Sequence, residues 1–435
     1  MKTVNNFVQS ERLPFPESIR AFLPQYAVVP FTQMKGESYH CAVQENQTVT
    51  EGQIIALPNS NTGGGATIHS PVPGKVTEII TCSLPDGKMS QAVRIHVSGA
   101  FTYLGKKQNQ TNWKQYSADE IQRLFSDKGV VNTFDETEPL AGQIIDSRKL
   151  KHRILVVRLF DEDPSRMTDC FVSVHNENAV LEGARIIAKS IGAECIVFAV
   201  PKKSLFDFSS LTFDGSKDIL SVTVTIDTAK YPSGFKVNIM QAIERELKGT
   251  APVFDKVSRK NLCIDSETAL SAYEAVVYGI PVLERYVHVT GSCLRSAGMF
   301  KVRIGTTIES LAKQCGGFKI QPAKIIINGL ITGFAVSRLN TPITKQVKSV
   351  MFVPGEELSD QQLSPCIRCG KCRAICPEGI FPDLVFRHQT GGKPVGDDLV
   401  KTAELCSECC LCNSVCPARL PLCQTIALVK ESVHE

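Results

Sequence analysis

The chain has 435 residues, 43% hydrophobic and 21% charged, a balance that excludes a disordered polypeptide and leaves room for three or four domains. Its net charge of +4 is spread without long like-charge blocks, so nothing points to nucleic acid as a partner. No run approaches about 18 apolar residues and the first twenty lack an apolar h-region, so we expect neither a membrane span nor a signal peptide. The expected location is the cytosol, at most docked on a membrane. Of the 17 cysteines, ten follow residue 365 and seven scatter through the first 315 residues. The scattered ones lack the spacing of a disulfide framework and read as small buried hydrophobes in a reducing compartment.

Residues 1–104 hold short strand-like runs: YAVVPF, YHCAVQ, QIIAL, GKVTEII and AVRIHV, rich in β-branched residues and separated by Gly, Pro, Asn and Asp. Two segments, VTEGQIIA and PVPGKVTEI, look related. The pair is similar to the quasi-symmetric halves of a lipoyl or biotinyl carrier, a barrel-sandwich hybrid. A carrier needs a lysine on the hairpin between the halves. The hairpin Pro58–Ala66 has none, and the Met34-Lys35 dipeptide precedes the first half. We therefore expect a docking or structural module without a swinging arm.

Residues 105–250 alternate helix and strand. ADEIQRLFSDKG and NAVLEGARIIAKSIG repeat their apolar residues with helical period, whereas HRILVVRLF, ECIVFAV and ILSVTVTI are apolar runs typical of buried strands. Such alternation predicts an α/β layer with a mainly parallel, Rossmann-like sheet. YPSGFKVNIMQAIEREL adds a turn and an amphipathic helix. Residues 251–353 read differently: LERYVHVTGSCL, MFKVRIG, TTIESLAKQCGG and AKIIING give strand, strand, helix, strand. One helix, closed by Gly316-Gly317, on a small mixed sheet is a β-grasp-like arrangement.

Residues 354–435 write one cysteine pattern twice. The first copy is Cys366, Cys369, Cys372 and Cys376, followed by Pro377; the second is Cys406, Cys409, Cys412 and Cys416, followed by Pro417. C-x₂-C-x₂-C-x₃-C-P is the ligand run of two-cluster bacterial-type ferredoxins. Three thiolates two residues apart wrap one face of a cubane, each on a different iron, and the fourth iron is out of the same loop's reach. The fourth cysteine therefore serves the partner cluster. This assigns Cys366, Cys369, Cys372 and Cys416 to one [4Fe-4S] cluster and Cys406, Cys409, Cys412 and Cys376 to the other. Zinc needs half as many ligands and favours C-x₂-C pairs. Cys410 and Cys423 fall outside the pattern and read as bystander thiols. Phe381 to Leu405 reads as one long mobile loop carrying GGKPVGDD.

The remaining candidates have blander readings. His69, His152, His175 and His288 are isolated and read as surface or hydrogen-bonded histidines. The run Asp161-Glu162-Asp163 reads as a solvated loop, and Cys293 and Cys315 as buried thiols. Arg368, Lys371 and Arg373 flank the first cysteine copy and are positioned to steer an acidic protein.

The order of parts resembles RnfC, the peripheral electron-entry subunit of Rnf membrane complexes, and is similar to the flavin-binding subunit of respiratory complex I. The matching stretches are VTEGQIIA with HSPVPGKV, YPSGFKVNI, Pro281 to Arg285 leading into VHVTG, RIGTTIESLAKQCGG, TPITKQ and both cysteine motifs. The resemblance implies a soluble-ligand-binding-type β-grasp domain. It implies a place among the integral membrane subunits of an Rnf-type complex, peripheral on the cytoplasmic side of the cell membrane. It further implies exchange with a soluble carrier, ferredoxin or flavodoxin, and less so with NADH. One departure is large. Relatives carry a glycine-rich loop, of the kind GxGGAGFPT, that cradles the FMN phosphate. Here the stretch reads Asn132 to Leu140 without a glycine. Its Asp135, Glu136 and Glu138 would repel a phosphate, each close contact being worth on the order of 1 kcal/mol. The expectation is a retained fold with the FMN and NADH site lost, and no catalytic residue in the chain. Two alternatives stay open: an NADH dehydrogenase subunit that holds FMN by another geometry, and an assembly scaffold with structural clusters.

Overall fold

The computed structural model describes residues 4–5, 15–34, 38–59, 63–202, 219–358, 362–391 and 396–431. Lys35, residues 60–62 of the Pro58–Ala66 hairpin and residues 392–395 of the GGKPVGDD stretch lie outside the described residues.

The N-terminal strands form two facing antiparallel sheets. One orders Tyr26–Pro30, Met89–Val97, Gly74–Ser83 and Thr48–Val49; the other orders Tyr39–Cys41, Ile54–Pro58 and Ile68–His69. Alternate residues point inward, so Ala27, Val29, Ile55, Ile68, Val76, Val93 and Ile95 share one buried core.

The next layer is a four-stranded parallel sheet ordered Leu220–Ile226, Cys195–Pro201, Ile154–Arg158 and Leu262–Asp265. Every residue of Ile154–Arg158 is buried, as a central strand covered on both faces requires. Helices α1 (Ala118–Asp127), α2 (Leu140–Arg148), α3 (Thr168–His175) and α4 (Glu177–Ile191) precede α5 (Lys236–Leu247) and α6 (Ser266–Val277). Ile186 and Ile187 of α4 pack with Leu155 and Ile196 on one face of the sheet. Ile239 and Ile243 of α5 pack with Ile154 and Val197 on the other. Helix α1 starts on a capping box between Ser117 and Glu120. Helices α4 and α6 press together at Gly183, where an added Cβ would lie 1.9 Å from the Ala269 carbonyl oxygen. The boundary expected at residue 250 is displaced: Leu262–Asp265 pairs with Ile154–Arg158, so this strand and α6 belong to the parallel layer. Its short run, LCID, carries too little periodicity to be assigned to a layer from sequence.

A six-stranded mixed sheet follows, ordered Ile19–Arg20, Gly298–Arg303, Glu284–Thr290, Ser349–Val353, Lys324–Ile327 and Phe334–Val336. Helix α7 (Ile308–Gln314) buries Ile308 and Leu311 against it. Gly316 and Gly317 take φ of 81° and 75°, the left-handed termination that their sequence announced.

The C-terminal region is helical: α8 (Lys371–Ile375), α9 (Pro382–Thr390), α10 (Asp397–Glu404), α11 (Leu411–Ser414) and α12 (Leu422–Glu431). The Phe381–Leu405 stretch expected as a loop holds α9 and α10. Pro382 occupies the first position of α9, where its missing N–H costs nothing, and Val385 is fully buried against the α12 side.

A candidate two-centre cysteine site

The two cysteine segments fold alike because their backbones turn at matched places. Arg368 and Glu408 both have φ of 55°; Gly370 and Cys410 have 73° and 55°; Gly379 and Arg419 have 73° and 54°. Cys410 thus stands at the left-handed turn occupied by Gly370 in the first copy. Each third cysteine lies on a short helix, α8 or α11, and each proline is followed by a longer one, α9 or α12.

Two cavities lie between these segments. Cys366, Cys369, Cys372 and Cys416 line one, and Cys406, Cys409, Cys412 and Cys376 line the other. Each cavity draws three thiols from one copy and one from the other, because a helical turn separates the third cysteine from the fourth and carries it to the opposite side. Cys372, Cys376, Cys409 and Cys412 are buried, whereas Cys369 is exposed. Among the described residues no three Cys, His, Asp or Glu side chains converge as a mononuclear ion would need; a cubane takes one sulfur per iron and spreads its four ligands apart.

Backbone N–H groups face the sulfurs. Those of Glu378, Gly379 and Ile380 lie near Cys376 and that of Leu411 near Cys409, where they favour the ionised sulfur, and the Glu408 N–H lies 3.4 Å from Cys406 Sγ. Burial pushes the Cys372 and Cys376 thiols up, and Cys409 up to about 12. Thiols so placed ionise for a bound cation and not for water. Cys423 and Cys410 both line the second cavity, and Cys423 shares one buried cluster with Cys412. Both lie beside the centre and outside the ligand pattern, Cys423 being delivered by the following helix α12.

The second cavity packs on the parallel layer. Tyr231 Oη donates to the Cys409 carbonyl at 2.8 Å, and Tyr231, Phe235, Cys409 and Leu411 form one buried cluster. The first cavity opens outward, beside exposed Ile367, Arg368 and Lys371. Arg373 does not share that freedom. Its guanidinium grips Asp383 with Nε to Oδ1 at 2.5 Å and Nη2 to Oδ2 at 2.6 Å, a forked pair that takes it out of the expected steering set.

The Asn132–Leu140 stretch forms a small hairpin running into α2. Asn132 Nδ2 donates to Gln143 at 2.8 Å and to the Cys263 carbonyl at 2.7 Å; Thr133 Oγ1 donates to Asp265 at 2.7 Å. Phe134 is buried beneath Arg158, whose guanidinium lies 4.1 Å over its ring and donates to Glu162, to Gly234 O and to Phe134 O. The side chains of Asn132 and Thr133 are thus spent on neighbouring protein groups, and Phe134 is buried.

The acidic run 161–163 is not a solvated loop. Asp161 and Asp163 are buried. Asp161 accepts from the backbone N–H groups of Thr168, Asp169 and Cys170 at the start of α3 and from Arg166. Asp163 accepts from the N–H groups of Ile331 and Thr332, tying the mixed sheet to the parallel layer. Lys348 joins in, its Nζ 2.7 Å from Asp169 and 2.6 Å from Asp265. Burial, with Asp265 beside it, pushes the Asp169 carboxyl up to about 7. Burial opposes the Asp265 charge too, but the Lys348 ammonium outweighs it and holds that carboxyl low. Lys345 reaches the carbonyls of Thr67 at 3.0 Å and Gly129 at 2.7 Å, and burial lowers it to about 7. A Cβ at Gly129, whose φ is 68°, would lie 2.3 Å from the Thr67 carbonyl oxygen, so glycine is required there. Sequence reading missed these two lysines; their one signal was a pair of lysines within the TPITKQVKSV run.

His175 and His69 make hydrogen bonds, in keeping with their plain reading, whereas His288 is buried with its Nδ1 unpaired among the described residues. His175 bonds the carbonyls of Phe171 and Pro16, and burial lowers His69 to about 3 and His288 to about 4. Cys293 and Cys315 are buried.

Residues 15–100 match the family model described as RnfC Barrel sandwich hybrid domain. The chain is 28% identical over 369 residues to the C subunit of the proton-translocating ferredoxin:NAD(+) oxidoreductase complex of Clostridium ljungdahlii, covering 83% of this chain and 78% of that one. It is 25% identical over 361 residues to the C subunit of the Na(+)-translocating ferredoxin:NAD(+) oxidoreductase complex of Acetobacterium woodii, covering 82% and 80%. It is 24% identical over 385 residues to the C subunit of the ion-translocating oxidoreductase complex of Rhodobacter capsulatus, covering 88% and 71%. A solved NAD+-reducing [NiFe]-hydrogenase in the H2-reduced state matches at TM-score 0.49 and 12% identity, over 73% of this chain and 61% of that chain. The air-oxidized state matches at TM-score 0.46 and 12% identity, over 68% of this chain, which spans 58% of that one.

Proposed function

We propose that this chain, RnfC-like along most of its length, is an electron-transfer subunit of an Rnf-type ion-translocating oxidoreductase complex and holds two [4Fe-4S] clusters. One observation carries the reading: the eight motif cysteines divide between two cavities, three from one copy and the fourth from the other. In this reading Cys366, Cys369, Cys372 and Cys416 hold one cluster, and Cys406, Cys409, Cys412 and Cys376 hold the other. When bound, such clusters supply reversible one-electron transfer. The chain's own part is to bury half of the eight thiols, to place N–H groups near their sulfurs and to limit water.

The hairpin after α1 does not fit a flavin phosphate. The N–H groups of Thr133 and Phe134 and the side-chain donors of Asn132 and Thr133 are committed to protein acceptors, Phe134 is buried, and the stretch carries three carboxylates in place of glycines. We therefore assign neither FMN nor NADH oxidation to this chain. The finer architecture belongs to the same reading: the parallel layer as the counterpart of the complex-I flavin subunit, the six-stranded sheet with α7 as a β-grasp domain, and α8–α12 as a ferredoxin-like domain. The relatives are named for complexes that act on ferredoxin and NAD+. By that analogy we assign this chain to the cytoplasmic side of the cell membrane, docked on integral subunits and exchanging electrons with a soluble carrier. No helix among the described residues is long and apolar enough to cross a membrane.

The test is iron, acid-labile sulfide and flavin content per anaerobically purified chain, followed by reduction with dithionite and with reduced ferredoxin. We expect two cubanes' worth of iron and sulfide, no stoichiometric flavin, and reduction by both. Iron for a single ion only, or FMN retained through gel filtration, would overturn the reading.

A further inference from the structure

The second cysteine centre is seated on the parallel layer, and two side chains of that layer reach it, one from each end of α5. Tyr231 closes the short strand before α5. Its Oη donates to the Cys409 carbonyl at 2.8 Å, inside the buried cluster it forms with Phe235 and Leu411. Arg259 stands in the turn that leads into Leu262–Asp265, and its Nη1 donates to Glu378 Oε2 at 2.7 Å. Glu378 lines the second cavity and its side chain is 3% exposed, so water screens its charge little. The repeat shows what is particular to this centre. Two residues after the fourth cysteine, where the first copy has Glu378, the second has Ala418, buried in the lining of the first cavity. The counterpart of Cys409 is Cys369, which is exposed. A further ion pair, Lys430 with Glu408 at 2.6 Å, comes from within the C-terminal region. Arg259 instead is a cation that the parallel layer brings across to a carboxylate of the cysteine region.

We infer that the parallel layer tunes the second centre through Arg259 and Tyr231, raising its midpoint potential without moving that of the first. An electron added to the second centre is repelled by the Glu378 carboxylate, and the Arg259 guanidinium offsets that repulsion. Tyr231 turns the positive end of its O–H dipole toward the Cys409 peptide, which favours the added electron in the same sense. The first centre opens outward and has Ala418 at the matched position, so neither effect has a counterpart there. Arg259 acts through Glu378, and Tyr231 through the Cys409 peptide; both are positioning residues and not ligands. The layer thereby serves electron transfer as an electrostatic seat for one of the two centres.

The inference rests on the two-cluster reading, and one experiment separates their failures. The full chain, purified anaerobically, is titrated with dithionite while both centres are followed by electron paramagnetic resonance, with iron and sulfide counted for each variant. A Cys369→Ser change identifies the signal of the first centre. Arg259 is 57% exposed, so solvent keeps its effect modest. Arg259→Met should lower the midpoint of the second centre by about a threefold change in its reduction equilibrium, ~28 mV for one electron. Glu378→Gln should raise that midpoint. Arg259→Met combined with Glu378→Gln should bring it back near the wild-type value, since neither charge remains. Tyr231→Phe keeps the ring packing, loses the donor and should lower the midpoint by less than Arg259→Met does. The first centre should hold its midpoint in all four. An unmoved second midpoint with full iron, equal shifts at both centres, or a double variant no nearer wild type than Arg259→Met would overturn the inference and leave the clusters standing. Iron lost from Arg259→Met or Tyr231→Phe would make the contact structural, which also overturns it. A wild-type chain without iron and sulfide would overturn the cluster reading itself.

Discussion

Replacing Lys348 by Met tests whether one buried cation holds the parallel layer and the mixed sheet together. Its Nζ lies 2.7 Å from Asp169 Oδ2 and 2.6 Å from Asp265 Oδ2, and all three side chains are at most 2% exposed. Methionine nearly matches the volume but leaves two carboxylates facing each other. Removing one partner of a buried pair costs about 3–5 kcal/mol; with two anions orphaned we expect the upper end, about 5 kcal/mol at pH 8. The loss depends on pH with a definite sign. The folded Asp169 value, about 7, already lies above its ordinary 3.8. Its stabilising contribution is therefore full at acid pH and lost as pH rises through the folded value. Without Lys348 both carboxyls rise further, so the deficit should shrink as the pH is lowered from 8 to about 6. Urea unfolding at each pH, with amide exchange at Thr168, Asp169 and Cys170 as the local probe, measures it. Adding Asp169→Asn and Asp265→Asn to Lys348→Met should recover most of the loss. A deficit under about 1 kcal/mol at pH 8, within the range of an exposed pair, or one equal at both pH values, would refute the reasoning.

Three further outcomes are expected. Cys416→Ala should damage the centre of Cys366, Cys369 and Cys372 and spare the one holding its sequence neighbours, which spectroscopy of the iron signals resolves. His69 and His288 are held at about 3 and about 4, first of all by burial. Because both lie below the free value, their contribution is full above about pH 6.5 and lost as pH falls; together they should cost about 4 kcal/mol between pH 8 and 5, a slope that His69→Gln with His288→Gln would flatten. Reversing Arg368 and Lys371 to Glu should slow association with an acidic carrier and flatten its salt dependence with iron content intact, whereas Arg373→Glu should disturb Asp383 and the first centre; stopped-flow rates across salt concentrations separate these.

The division of the eight motif cysteines between two cavities was legible in the chain because it is set by local spacing. Eleven-residue spacing, a proline after each fourth cysteine and the length of one helical turn are enough to pair Cys416 with the first three cysteines of the other copy. The strands of the N-terminal sandwich and the Ile154–Arg158 run were legible for the same reason, since alternation and continuous apolarity report how many faces of a strand are covered. What the spacing could not carry was everything decided by distant partners. Asp161-Glu162-Asp163 looks like solvated surface until α3, Arg166 and the turn at Ile331 deliver donors to it. Lys345 and Lys348 look like ordinary surface lysines until carbonyls of Thr67 and Gly129, and carboxylates of Asp169 and Asp265, close around them. LCID joins a layer only when Ile154–Arg158 lies beside it. Cys423 is placed in the lining of the second cavity, in one buried cluster with Cys412, only once α12 has folded. A charge or thiol shows its role only in the field of its neighbours, and those neighbours meet only in the folded chain.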